Sequence, residues 1–288
     1  MSQIIKDIKL FIPPIVLIAA RKIRLLLGWK PPSLLEGPYS TWQEAVTNSA
    51  GWDAPEILDK TLELSLKMRD GIIEFQQDLI EYRRICYSET ILAFLSMSSG
   101  MNHGKLDIVD FGGSLGTNFA QNRKFLRPFI DDGNCHWNIV ERPPTVDLGR
   151  KHFENHNLRF FASLDEIKMQ RGYIPKFYLF SGSMQCVEEP FSLLDLIIAD
   201  GANLIAFDRI LVSPKTQHEI LIQPHHGITF PTWCFSRNLF VQTMAKKGFA
   251  FVEEFSIPPG EQFDCQRGPD RDFYWAGLIF VRDKQSLN

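Results

Sequence analysis

The stretch Leu106 to Gly116, L-D-I-V-D-F-G-G-S-L-G, decides the fold. Ile108 and Val109 form a short β-branched run of the kind that is buried in a parallel strand. Gly112, Gly113 and Gly116 free the next turn to bring its backbone close to a ligand, and Thr117 opens a helical pattern. A strand, a glycine turn and a helix start together make a crevice of nucleotide size lined by backbone N–H groups. A plainer reading of the same residues is a tight turn in an α/β domain, with Asp110 stabilising the turn.

Working outward, strand and helix patterns alternate from Leu106 onward. Strands are predicted at 106–111, 137–141, 158–162, 176–181 and 203–212, with helices from Thr117, at 145–155, near Leu164, at 190–200 and at 237–247. That order gives right-handed parallel crossovers. Phe249 to Ile257 and Phe273 to Val281 read as two further strands joined by a loop containing Pro258, Pro259 and Gly260, too irregular for a crossover helix, so they pair antiparallel. Upstream, Pro31, Pro32, Gly37 and Pro38 read as a linker, followed by a mostly helical region to residue 103.

The composition, 288 residues with 44% apolar and 23% charged, suits a globular protein with one large core or two modest ones. A net charge of -3 carries no basic footprint for nucleic acid. Cys86, Cys135, Cys186, Cys234 and Cys265 are scattered and form no C-x-x-C pair, which speaks against a disulfide framework or a zinc site and fits a reducing cytoplasm. The exception is the N-terminus. Leu10 to Ala20 is apolar apart from Pro13 and Pro14, and Arg21, Lys22, Arg24 and Lys30 follow. The run is about half the roughly 20 residues a membrane span needs. A helix from Pro14 to Leu27 would suit the surface of an anionic membrane on its cytoplasmic side, or would pack on the protein itself or on a second copy. Residues 1–36 are thus expected to be an amphipathic segment and candidate membrane-surface anchor, 37–103 a helical cap, and 104–288 the main domain.

In order and spacing, residues 104–283 resemble a class I S-adenosylmethionine-dependent methyltransferase: an α/β, Rossmann-like, seven-stranded sheet, mostly parallel with a terminal antiparallel hairpin, here with an N-terminal helical extension. More narrowly, W-Q-E-A at Trp42, G-W-D-A-P at Gly51, D-F-G-G-S-L-G at Asp110, I-V-E-R-P around Glu141 and F-P-T-W-C-F-S at Phe230 resemble a bacterial methyltransferase family associated with surface-polysaccharide gene clusters. Glycine-rich strand-to-helix turns also serve NAD and FAD, but an acid before the glycines and a terminal hairpin weigh against a nicotinamide-dependent oxidoreductase.

The resemblance implies that S-adenosylmethionine is the cofactor. Asp110, Gly112 and Gly116 stand at the acid, first-glycine and third-glycine positions of the class motif, Gly113 shifts backbone freedom by one position, and Ser114 replaces the middle glycine. Asp110 would hold the cofactor's ammonium group. Glu141, 25 residues after Gly116, would accept hydrogen bonds from both ribose hydroxyls. Ser163 falls in the loop the class places beside adenine, and Ser181 opens S-G-S-M-Q, which would lie beneath the transferred methyl group. That segment lacks an N-P-P-Y pattern, which argues for a small-molecule acceptor over DNA adenine or glutamine.

Ser213 to Phe235 is expected to be a long ordered loop building the acceptor pocket from aromatic rings and histidines. His225 or His226 would take a proton from an attacking hydroxyl, with Asp208 and Arg209 orienting the pocket. The expected function is methyl transfer to a small acceptor, a saccharide or its precursor, with no metal. A catalytically degenerate scaffold within a membrane biosynthetic complex is the alternative, and it turns on Ser114.

Overall fold

The computed structural model describes residues 35–50, 55–225, 227–257 and 273–283. Residues 1–34, 51–54, 226, 258–272 and 284–288 lie outside the described residues, as do the predictions made for them. In chain order the elements are β1 (Glu36–Tyr39), α1 (Trp42–Thr47), α2 (Pro55–Arg69), β2 (Phe75–Gln77), β3 (Ile80–Tyr82), α3 (Glu89–Met101), β4 (Leu106–Phe111), α4 (Thr117–Gln121) and α5 (Arg123–Asp131). They continue with β5 (Cys135–Val140), α6 (Pro143–His152), β6 (Leu158–Phe161), α7 (Leu164–Arg171), β7 (Phe177–Ser181), α8 (Pro190–Ala199) and β8 (Leu204–Ser213). The last are β9 (Glu219–His225), β10 (Ile228–Ser236), α9 (Arg237–Lys246), β11 (Phe249–Ser256) and β12 (Tyr274–Arg282).

Five parallel strands run in the order β6-β5-β4-β7-β8. Antiparallel β12 pairs with β8, and β11 pairs with β12. These seven strands are the predicted sheet with its terminal hairpin. Adjacent residues on the central strands go to opposite faces, and both faces are dry. Val109, Phe180 and Phe207 meet Leu164, Leu194 and Phe240 of α7, α8 and α9. Ile108, Leu179 and Ala206 meet Phe94, Leu126 and Val146 of α3, α5 and α6. Burial on both sides is what a run such as I-V or L-F at mid-strand requires.

Three more strands extend the sheet, and they correct one expectation. Residues 213–235 are not a long loop: β9 and β10 form an antiparallel hairpin in register from Ile228↔His225 to Cys234↔Glu219, with β1 on its outer side. Strand β8 accommodates them by bending. Up to Asp208 it pairs with β7, Arg209 takes a positive φ of 52°, and Val212 and Ser213 then pair with Phe235 and Ser236 of β10. Of residues 37–103, β1 joins this edge and α3 packs on the sheet, while α1, α2 and the β2–β3 hairpin stand over the strand ends. Among the described residues, no helix is long and apolar enough to cross a membrane.

Candidate functional site

Strand order reverses at β4, with β5 on one side and β7 on the other, and in parallel α/β sheets ligands bind beyond the strand ends at that point. A cavity of about 630 Å³ lies there. Its floor is Phe111 to Ser114 after β4, Glu141 and Arg142 after β5, Ser181 to Ser183 after β7, and Arg209 in β8. Its cover is Trp42 and Val46 from α1, Ile57 and Leu58 from α2, and Gln77 to Leu79 from the β2–β3 turn, with Phe230 and Pro231 of β10 at the side.

The glycine turn is shaped by close approach. Gly112 has φ +72°, and a Cβ there would stand 2.5 Å from the Ser183 Cβ, so only glycine lets the β4 and β7 ends meet. At Gly113 a Cβ would fall 2.7 Å from the Asp110 carboxyl carbon. Ser114 holds φ 53° and its N–H donates to Glu141 Oε1 at 3.2 Å. The serine therefore keeps a left-handed turn that a glycine would adopt without strain. Gly116 does not line the cavity: its nearest neighbour would be Leu158, at 3.0 Å from an added Cβ, so its constraint is packing of the turn on β6 rather than approach to a ligand.

Asp110 is fully buried beneath this turn and does not line the cavity. Its carboxylate accepts from Trp137 Nε1 at 3.0 Å and from Asn118 Nδ2 at 3.2 and 3.3 Å. Burial raises its pKa to about 7 against the pull of those two donors. Glu141, by contrast, reaches the cavity wall. Its second oxygen accepts from the Arg142 N–H at 2.9 Å, and burial raises its pKa while the two backbone donors oppose the rise. Asn118 also lines the cavity, and its Oδ1 is buried without a hydrogen-bond partner. Sequence reasoning passed over Asn118 because a polar residue in a helix's first turn carries no distinctive signal.

At the β7–β8 side, Ser181 Oγ donates to Asp208 Oδ2 at 2.6 Å, and Ser88 Oγ donates to Oδ1 at 2.6 Å. Asp208 is thereby enclosed, 1% exposed and behind the cavity wall. Arg209 lines the cavity; its Nη2 donates to Ser181 Oγ at 3.1 Å and its Nη1 pairs with the Asp78 carboxylate. Burial disfavours the guanidinium charge, but Asp78 and Asp208 offset this and leave its pKa raised.

The other candidates lie outside the cavity lining. Ser163 is exposed and caps α7, its Oγ accepting from the Glu166 N–H at 3.1 Å. His225 stands at the end of β9 with Nε2 2.9 Å from the Asp78 carbonyl, an oxygen that can only accept, so Nε2 carries the proton. His218 Nδ1 accepts from the Ser236 N–H at 2.9 Å, and Trp233 stacks on Trp42 with ring centroids 6.0 Å apart. That stack brings W-Q-E-A and F-P-T-W-C-F-S, far apart in the sequence, into contact. Thr41 and Glu44 cap α1, Glu44 N–H donating to Thr41 Oγ1 at 3.1 Å, and Trp42 reaches β10.

No protein-family model matches the chain, and no curated protein matches it in sequence. Among solved structures it is similar to the 1,6-didemethyltoxoflavin-N1-methyltransferase of Burkholderia thailandensis with bound 1,6-didemethyltoxoflavin and S-adenosylhomocysteine, at 13% identity over 82% of this chain and 93% of that one, TM-score 0.41. It is also similar to the magnesium protoporphyrin IX methyltransferase of Synechocystis PCC 6803 with bound S-adenosylmethionine, at 10% identity over 67% and 78%, TM-score 0.43. A third is the N-terminal domain of EvdMO1 in the presence of S-adenosylhomocysteine and D-fucose, at 13% identity over 77% and 96%, TM-score 0.44.

Proposed function

We propose that this chain is an S-adenosylmethionine-dependent methyltransferase acting on a small-molecule acceptor. The observation that carries the reading is Glu141 at the cavity wall, one residue past the end of β5 and tied to the glycine turn through the Ser114 N–H. A carboxylate offers about four lone-pair positions. Two are taken by the Ser114 and Arg142 amides, which leaves room to accept from two neighbouring hydroxyls, the chemistry of a ribose. Asn118 Oδ1 supplies an acceptor suited to an ammonium group. The donor and acceptor set therefore fits the cofactor, and Asp110 serves it from below, by fixing Gly113 and Asn118.

When bound, the cofactor supplies an electrophilic methyl group. The chain's own contribution is positioning and exclusion of water by the cover over the strand ends. Ser181 Oγ, held by Asp208 and Arg209, keeps a lone pair with which to orient an acceptor hydroxyl. His225 acts on the cover, through Asp78, and no proton is routed through it.

We assign the acceptor to saccharides or their precursors. The presence of Trp42 and Phe230 in the cavity lining supports this, as does the resemblance to the polysaccharide-associated family. Attachment of residues 10–27 to an anionic membrane surface belongs to the same proposal and is tested by liposome flotation of the full chain against a protein beginning at Pro38. Ser114 keeps the turn, so it lends no support to a degenerate scaffold. The test of the reaction is incubation of the protein with deuteromethyl-labelled cofactor and small-molecule extract from cells lacking it. A labelled glycan species with release of S-adenosylhomocysteine supports the reading; release without any labelled product, or neither, counts against it.

A further inference from the structure

The β2–β3 hairpin is closed by two residues, Asp78 and Leu79, between the paired Gln77 and Ile80. Both sit at positive φ, 51° and 66°, the pattern of a type I′ turn. Such turns strongly favour Asn-Gly or Asp-Gly, because the second position suits a residue without a Cβ. Here the sequence has Asp-Leu. Leucine in the left-handed region is strained, and strain of this kind persists where surrounding contacts over-determine it. Those contacts are present. The Asp78 carboxylate pairs with Arg209, and the Asp78 carbonyl accepts from His225, so strands β8 and β9 both grip the turn. Leu79 lines the cavity, in one apolar wall with Trp42, Val46, Ile57, Leu58 and Phe230.

Resting on the cofactor reading above, we propose that Leu79 is the specificity-determining residue of the acceptor site, and that the acceptor carries an apolar substituent beside its reacting hydroxyl. Glu141 and Asn118, which suit the cofactor, line the cavity from the end of β5 and from α4, whereas Leu79 lines it from the covering β2–β3 turn. A wall of six apolar side chains matches an apolar substituent on the acceptor better than further hydroxyls, and the side chain at 79 stands against the conformational preference of its own backbone.

The full-length protein and its Leu79→Gly and Leu79→Met variants are titrated with phenyl β-D-glucopyranoside and methyl β-D-glucopyranoside in saturating S-adenosylhomocysteine, by saturation-transfer NMR and calorimetry. Glycine relieves the turn, so thermal stability should hold or rise, and S-adenosylhomocysteine affinity should stay within about twofold. Binding of the phenyl glycoside should weaken at least tenfold in Leu79→Gly, stay within about threefold in Leu79→Met, and exceed that of the methyl glycoside in the wild type. Equal phenyl glycoside binding by wild type and Leu79→Gly, including none by either, overturns the proposal. So does an equal loss for both glycosides. Failure of the wild type to bind S-adenosylhomocysteine would overturn the cofactor reading instead, and the glycoside titrations run without it still decide the role of Leu79.

Discussion

Trp137 and Asp110 tie neighbouring parallel strands together beneath the glycine turn, the indole N–H donating to the carboxylate at 3.0 Å in a fully buried setting. Burial holds the Asp110 pKa near 7, above its ordinary value of 3.8. A raised carboxylate pKa means that between about pH 4 and 7 the folded protein keeps a proton the unfolded chain has released. Stability should therefore fall as pH rises through that window, by up to about 1.4 kcal/mol per pH unit, and level off above it. Asp110→Asn should flatten this dependence, since its carbonyl can accept from Trp137 and Asn118 can turn its amide to match. Denaturant unfolding at pH 4.5, 5.5, 6.5 and 7.5 checks it; parallel profiles for the two proteins would show that Asp110 does not titrate in this range.

Gly113→Ala places a methyl 2.7 Å from the Asp110 carboxyl, so the turn must shift. A loss of about 1–3 kcal/mol is expected from such overpacking, together with weaker S-adenosylhomocysteine binding. Urea unfolding with calorimetry measures both, and unchanged values in each would contradict the close approach.

His225→Gln should leave turnover on an acceptor that the wild type methylates within a few-fold of wild type and should not remove an acidic limb from the pH–rate profile, because His225 grips Asp78 rather than facing the cavity. A fall of a hundredfold or more, with S-adenosylhomocysteine affinity intact, would restore the histidine as a general base.

The main sheet was legible in the sequence because its signals are local and strong. I-V-D-F-G-G and the strand-end Glu141 each read from a few adjacent residues, and the structure puts strand and turn where those residues place them. The hairpin of β9 and β10 was not legible: Pro224 and Pro231 interrupt its alternation, and prolines inside a run argue against a strand. The β2–β3 turn was hidden for a different reason. Asp-Leu lacks the glycine that marks a two-residue turn, so the segment covering the cavity left no trace in the pattern. Asp110 shows the limit of motif reading, since the acid that announces the site lies under it, and its neighbour Gly113 forms the surface.

The central claim is that the cavity at the β4–β5 strand ends binds S-adenosylmethionine through Glu141. Calorimetric titration of S-adenosylhomocysteine into the full-length protein and its Glu141→Ala variant tests it most directly. One site per chain is predicted for the wild type, with affinity lowered in the variant by about 1.5–3 kcal/mol, roughly ten- to over a hundredfold, as charged hydrogen bonds are lost. Equal affinity in two folded proteins, or no binding by the wild type, would contradict the account.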